Sequence, residues 1–279
     1  SDFHQRFKVY NVRRNRSILA LLMGALITFG ELAVIPTAHA AEQVRDGKTE
    51  ATAAASCWEI KQKHPDSPDG AYWLFTPQMS APAQFFCDQT MDGGGWVMIG
   101  RGRESWDRYP DGKGDPKAMH SRNRQPQDFG TVQLPNATIN GLLGGTHVNK
   151  LPDGFRVLRA KNASGTDMQK FDIRPRKMRD WVWALSSRDR ASYRIDNGGW
   201  AESGFMESGF GADTAWNRME LSTGPAKKFN IGFGYGGGAG GGDTSAGNYL
   251  WSANGSAPLP YAEVYVRPEL SSDDKELFK

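Results

Sequence analysis

Short alternations of apolar and polar positions dominate this chain, and runs with a helical period are few. The densest apolar block comes first. Ile18 to Phe29 follow a basic stretch with Lys8, Arg13, Arg14 and Arg16, and precede Pro36 and the small residues Ala38, Ala40 and Ala41. A charged start, a short apolar middle and small residues at the end predict a secretory signal over 1–40, cleaved after Ala40. Glu31 closes the block well short of the ~20 residues that span a bilayer. No membrane span is expected once the signal is removed.

Residues 41–55 are small and polar and read as a flexible leader. The folded domain is expected over 56–270. Its clearest element is a hairpin, with strand-like Gln84–Asp88 and Trp96–Ile99 joined through Asp92-Gly-Gly-Gly95. Arg101 to Phe129 are rich in charge, Pro and Gly and read as surface loop. Asn136 is placed to cap a short helix with Ile139, Leu142 and Leu143 on one face, ended by Gly144-Gly145. Phe155–Leu158, Gln169–Ile173 and Tyr261–Arg267 read as strands. Between them two readings stay open. Pro175 opens a helix presenting Met178, Trp181, Val182 and Leu185, or Trp181–Leu185 form a strand. Residues 234–242 form a glycine loop, and 271–279 a charged tail or linker. Short antiparallel strands, few short helices and long loops predict an α+β fold.

Composition sharpens this picture in one respect. The chain counts 34 Lys and Arg against 31 Asp and Glu; without the five basic and two acidic residues of 1–40, 29 of each remain. The exported chain is formally neutral, so it lacks the basic footprint of a nucleic-acid binder. Nine Trp give it enough aromatic mass for a core.

The two cysteines are Cys57 and Cys87. Export places them in an oxidising compartment, where an even pair reads as a disulfide that stabilises by roughly 3–4 kcal/mol. Two buried free thiols are the alternative. Their spacing, with no histidine pair, does not suit zinc.

Enzymatic chemistry finds little support. His64, His120 and His147 sit in no His-Glu-x-x-His pattern, and there is no Gly-x-Ser-x-Gly elbow. The glycine loop lacks the Gly-Lys-Ser/Thr ending of a phosphate loop. Carboxylates for glycoside hydrolysis pair in space, which leaves Asp189, Glu202, Glu207 and Asp213 as candidates by location.

Cys57-Trp-Glu-Ile60, Asp69-Gly-Ala-Tyr72, Phe86-Cys-Asp88, Asp92-Gly-Gly-Gly-Trp96 and Glu263-Val-Tyr-Val-Arg-Pro268 together resemble the fibrinogen C-terminal (fibrinogen-related) family in its compact bacterial or intelectin-like form. Cys57-Trp-Glu-Ile60 is similar to its opening Cys-x-x-Ile. Asp69-Gly-Ala-Tyr72, Phe86-Cys-Asp88 and Asp92-Gly-Gly-Gly-Trp96 follow its next motifs in order. Leu134–Leu142 and the closing Glu263-Val-Tyr-Val-Arg-Pro268 extend the resemblance, thinly between 174 and 260. The resemblance implies a fibrinogen C-terminal-like fold and a recognition module, not an enzyme. The family's second disulfide has no counterpart, because no cysteine follows Cys87.

In the family the ligand pocket lies in the C-terminal portion. There Asp243, Asn248, Tyr249, Trp251, Asn254 and Tyr261 offer aromatic faces and hydroxyl-binding amides. Asp243 alone could echo the family's calcium loop, and calcium takes six to eight oxygens. No cofactor is therefore expected, with calcium at Asp243 a secondary reading. The expected partner is an extracellular glycan, an acetylated group or a protein, bound outside the cell or at its surface. A homo-oligomer is compatible with this. Alternatives are a structural domain of a larger cell-envelope protein and a carbohydrate-active enzyme.

Overall fold

A computed structural model of the chain describes residues 44–103, 106–124, 130–160, 165–184, 190–202, 210–213, 218–222, 229–234 and 261–279. The signal segment lies outside the described residues, as do Asp189, Glu207, Asp243, Asn248, Tyr249, Trp251 and Asn254. No described helix is long and apolar enough to cross a membrane.

Helix α1 (Cys57–Lys63), an element the sequence pattern was not read to contain, opens the domain. Its start has a local cause. The Ser56 hydroxyl accepts from the Glu59 amide at 3.0 Å, and the Glu59 carboxylate reaches back to the Ala55 amide at 2.7 Å. This reciprocal arrangement satisfies donors that a helix start leaves open, and Lys61 and Lys63 suit its far end. Trp58 and Ile60 follow within the same helix, with Ile60 fully buried.

The main sheet contains β1 (Gly70–Leu74), β2 (Ala83–Asp88), β3 (Trp96–Gly102), β4 (Val132–Gln133), β5 (Phe155–Ala160), β6 (Met168–Pro175), β7 (Ala191–Ile195), β8 (Ala201–Glu202) and β12 (Ala262–Val266). Its order is β1-β2-β3-β12-β5-β6-β7-β8, with β4 on β3. Every neighbouring pair is antiparallel. The last strand therefore fills the centre, between β3 and β5, which ties the end of the domain to its beginning. A second, three-stranded sheet pairs β10 (Arg218–Ser222) with both β9 (Phe210–Asp213) and β11 (Phe229–Gly234). The predicted α+β class holds, with sheet in the majority and α1 and α2 the α-helices among the described residues.

Residues 44–55 are not a loose leader. Trp73 donates its amide to Gly47, and Ala54 donates to Trp73, so this segment covers the outer edge of β1. Ala53, Ala54 and Ala55 are buried there. Their small side chains allow the close approach that made the sequence look like a linker.

The predicted hairpin is present, and its turn is specific. The Asp88 carboxylate accepts from the Thr90 and Met91 amides at 3.0 and 2.7 Å. Gly94 and Gly95 take φ of 75° and 84°, where a side chain is disfavoured. A Cβ at Gly94 would come within 2.5 Å of the Gln89 carbonyl oxygen. Gln89 then ties the turn to α1, donating to the Cys57 carbonyl at 3.0 Å and accepting from the Gly95 amide at 2.9 Å. Cys57 and Cys87 are joined in a disulfide with their Cα atoms 5.6 Å apart. The bond links a helix to β2, not strand to strand.

Helix α2 (Asn136–Leu143) ends as expected at Gly144, in the left-handed region with φ 59°. Asn136 does not cap it. Pro135 stands at the cap, and the Asn136 side chain accepts from the Trp183 amide at 3.1 Å. Asn140 pairs with both backbone groups of Trp181, at 2.7 and 3.2 Å. These two asparagines satisfy the backbone that a helix or strand would otherwise have paired. Residues 176–184 are accordingly neither. Trp181 packs edge-on against Phe155 and Trp183, with ring centroids 5.3 and 5.0 Å away.

The charged end of the chain is also docked. Ser56 donates to the Leu270 carbonyl at 2.6 Å, the Ser272 amide donates to Glu59 at 3.0 Å, and Lys63 pairs with Asp273 at 2.9 Å. Residues 271–274 thus lie against α1 rather than trailing as a linker.

Candidate functional site

Strand register sorts the sheet into two unlike faces. Opposite residues share a face. Val264, Val157 and Phe171 fall in line on one, and Phe155 and Ile173 beside them. That face is the apolar core. The other carries Glu263 and Tyr265 from β12, Arg156 from β5, Lys170 and Asp172 from β6, and Arg194 from β7. Alternation of this kind ordinarily means a solvated outer face. Here Arg156, Glu263 and Tyr265 are 0% exposed and Asp172 is 1% exposed.

Burial of charge requires partners, and they form two groups. The first centres on Asp172. Arg156 donates to both its oxygens, at 2.6 and 3.0 Å, and Arg194 adds a bond at 2.5 Å. Arg156 also reaches Asp92 at 2.5 Å, and Arg194 reaches Asp153 at 2.9 Å. Arg267 closes the ring, bonding Asp153 at 2.6 Å and the Asp92 and Gly94 carbonyls at 2.8 and 3.1 Å. The guanidinium groups of Arg156 and Arg267 lie over the Trp96 ring, 3.9 and 4.4 Å from its centroid. The family-like Gly-Gly-Gly-Trp turn is thus fastened to the far strands by charge.

The second group centres on Glu263. Arg124 grips both its oxygens at 2.6 and 3.0 Å, and the hydroxyls of Tyr261 and Tyr265 donate to it at 3.0 and 3.2 Å. Arg122 continues the chain of contacts, bonding Tyr265 at 3.3 Å, Asp69 at 2.8 Å and Asp88, while lying over Phe86. Burial, reinforced by the Glu263 charge, pushes both tyrosines well above their ordinary ionisation range. Burial pulls Asp88 upward, but the Met91 amide and Arg122 outweigh it and hold the carboxyl below its usual value.

These groups are consumed by one another. The two tyrosines stay protonated near neutrality. The arrangement is a buried, charged platform, and its ion pairs join residues distant along the chain, which leaves no trace in the sequence pattern.

Of the predicted ligand residues, Tyr261 is described, and it is fully buried at the foot of β12, its hydroxyl spent on Glu263. Among the described residues no cluster of three His, Cys, Asp or Glu could hold a metal ion. Glu202 is exposed on β8. It accepts from Ser192 at 2.7 Å and from Arg176 at 2.5 Å. The Ser192 bond and the Arg176 charge hold its carboxyl below the usual range, against slight desolvation. Asp213 ends β9.

Asp92 gives this site a measurable pH response. Burial raises its carboxyl, but Lys170, Asn197 and Arg156 outweigh that and bring it down to about 2. The depressed group stabilises the fold above its unfolded value near 3.8, and that contribution disappears as pH falls toward 2. Asp92 is solvent-exposed, so screening reduces the contribution to about 1 kcal/mol. Urea midpoints are expected to fall between pH 4 and 2 by about that much more than in Asp92→Asn. Equal slopes in both proteins would remove Asp92 from the account.

No family model matches the chain. Mouse (Mus musculus) Angiopoietin-4 is 30% identical over 80 residues, which are 26% of this chain and 16% of that protein. The match thus spans about one-sixth of the relative's length. The fibrinogen-like globe domain of human ANGPTL6 aligns over 76% of this chain and 94% of its own, at 16% identity and a TM-score of 0.39. That of human ANGPTL2 aligns over 77% and 99%, at 18% identity and a TM-score of 0.38. The lamprey fibrin D-dimer, complexed with the peptide Gly-His-Arg-Pro-amide, aligns over 79% and 76%, at 15% identity and a TM-score of 0.39. The Cys57–Cys87 bond, the glycine turn before Trp96 and the central closing strand are the features in which the described domain resembles fibrinogen C-terminal domains.

Proposed function

We propose that this chain is a secreted or cell-surface recognition module. It binds an extracellular glycan, an acetylated group or a protein through Asp243, Asn248, Tyr249, Trp251, Asn254 and the backbone that leads into Tyr261. The observation that carries the reading is the locked base at Tyr261, Glu263 and Arg124, where the 243–260 segment rejoins the central strand. Charge and burial together fix the point at which the chain re-enters β12, as a binding segment's support requires. The disulfide suits export into an oxidising compartment.

Hydrolysis is the weaker reading. A glycosidase needs one carboxyl with a raised pKa to act as acid. Glu202, the candidate whose surroundings are described, is shifted the other way.

Glycan arrays and pull-downs with the chain from residue 41 onward test the proposal. Binding is expected, and Tyr249→Ala with Trp251→Ala should abolish it without lowering the melting temperature. An absence of ligand in both screens, or binding untouched by the paired substitution, would overturn it.

A further inference from the structure

Two Asn-Gly pairs lie among the described residues, Asn140-Gly141 and Asn197-Gly198. Glycine after asparagine leaves the following backbone nitrogen unshielded, because there is no Cβ beside it. That nitrogen is the nucleophile in asparagine deamidation. The two pairs differ in what restrains them. Asn140 sits inside α2 with both its side-chain oxygen and nitrogen bonded to Trp181. A Cβ at Gly141 would meet Met79 at 3.0 Å, so the pair is also closely packed.

Asn197 occupies the turn after β7. It is exposed and takes φ of 62°. Its side-chain amide makes one bond among the described residues, Nδ2 donating to Asp92 Oδ1 at 3.0 Å. Gly198 is restrained by a single turn bond, its amide donating to the Ile195 carbonyl at 2.8 Å. A Cβ at Gly198 would meet one atom within 4 Å, the Ile195 carbonyl oxygen at 3.0 Å, and the space around Gly199 is open. Water therefore reaches the turn, and only weak local contacts oppose the attack.

We infer that Asn197-Gly198 is a site of spontaneous deamidation whose products release the β7–β8 turn from Asp92. The Gly198 nitrogen attacks Asn197 Cγ and forms a new N–C bond. The Cγ–Nδ2 bond breaks, and ammonia departs, carrying off the proton that Gly198 gives up. Water then opens the cyclic imide at either carbonyl. One opening gives aspartate, the other isoaspartate, with the backbone running through the former side chain. The sum is one amide and one water converted to one carboxylate and one ammonium ion.

The structural consequence follows from the partner. A neutral donor to Asp92 becomes an anion facing it, so attraction turns to repulsion. Asp92 keeps Lys170 and Arg156. Residue 196 stays pinned as well, its amide bonded to the Lys170 carbonyl at 2.8 Å and its carboxylate accepting from the Lys170 amide at 3.0 Å. The change is thus confined to the turn and leaves the sheet intact.

Incubating the purified chain in warm, mildly alkaline buffer and mapping its peptides by mass tests the inference. Isoaspartyl methyltransferase labelling supplies an independent readout, and mapping separates Asn254-Gly255, which lies outside the described residues. Conversion at Asn197 is expected at least about tenfold faster than at Asn140, which must first open its helix. Gly198→Ala should suppress it, since a Cβ shields the nitrogen. Asn197→Asp should raise the ionisation midpoint of Asp92 in side-chain NMR titration. Conversion no faster than at Asn140, or persisting unchanged in Gly198→Ala, would overturn the inference.

Discussion

Replacing both Cys57 and Cys87 by alanine is expected to destabilise the domain by about 3–4 kcal/mol, the entropy regained by opening a loop of this length. The two cysteines are 30 positions apart and almost wholly buried. The bond joins the first turn of α1 to the C-terminal end of β2, and everything between them, including the covered edge strand β1, lies within the loop. For a domain of this size the loss corresponds to a fall in melting temperature of about 10 °C. Local contacts limit the damage. Gln89 still holds the Cys57 carbonyl, and Glu59 still holds Ser272. The single substitution Cys57→Ala is expected to be worse in practice, because Cys87 is left as an odd thiol that pairs between molecules once the fold opens. Paired urea and thermal melts, with and without reductant, read both effects. A double variant within about 1 kcal/mol of the parent would show that the bond contributes little beyond the packing around it.

The elements that were legible in the sequence are those whose cause is local. The glycine turn before Trp96, the Gly144 helix end and the alternation in β5, β6 and β12 each arise within a few residues. Helix α1 was equally local and was still missed. Ser56-Cys-Trp-Glu59 followed by Lys61 and Lys63 is a helix start and stop in the right order. Residues 44–55 were misread as well. Their alanines carry too little apolar surface to signal burial, yet their small size is what lets them lie against β1.

The candidate site was mostly beyond the reach of sequence. Charged residues alternating with apolar ones in Phe155-Arg-Val-Leu-Arg-Ala160 and Gln169-Lys-Phe-Asp-Ile173 pointed to one wet face. Only the register shows that Arg156 stands opposite Asp172, and only the fold brings Asp92 and Asp153 to them. Ion pairing at separations of 16 to 139 residues leaves no periodic trace. The ligand residues proposed from composition, Asp243 to Asn254, lie outside the described residues, so their support rests on the base into which they lead.

That base and its neighbour make a second large prediction. Asp172→Ala is expected to cost about 3–5 kcal/mol, because it leaves buried cations without their shared anion. Among the described residues, fully buried Arg156 would keep one carboxylate, Asp92, which faces solvent, and Arg194 would keep one, Asp153. The cost comes from the orphaned charge more than from the lost attraction, and this distinction can be tested. Changing the pair together, Arg156→Met with Asp172→Leu, removes both fully buried charges, keeps apolar volume beside Trp96, and leaves the partly exposed Arg194 on Asp153. Such replacements are often neutral, so the paired variant should recover most of the stability lost in Asp172→Ala. Asp92 tolerates the change, since Lys170 and Asn197 remain bonded to it. Urea unfolding of the three proteins gives the comparison directly. If Asp172→Ala proves as stable as the parent, the buried charges are reached by water and the platform is not dry. If the paired variant is as damaged as the single one, the contacts of Arg156 with Trp96 and Asp92, and not charge balance across β5 and β6, hold this face together.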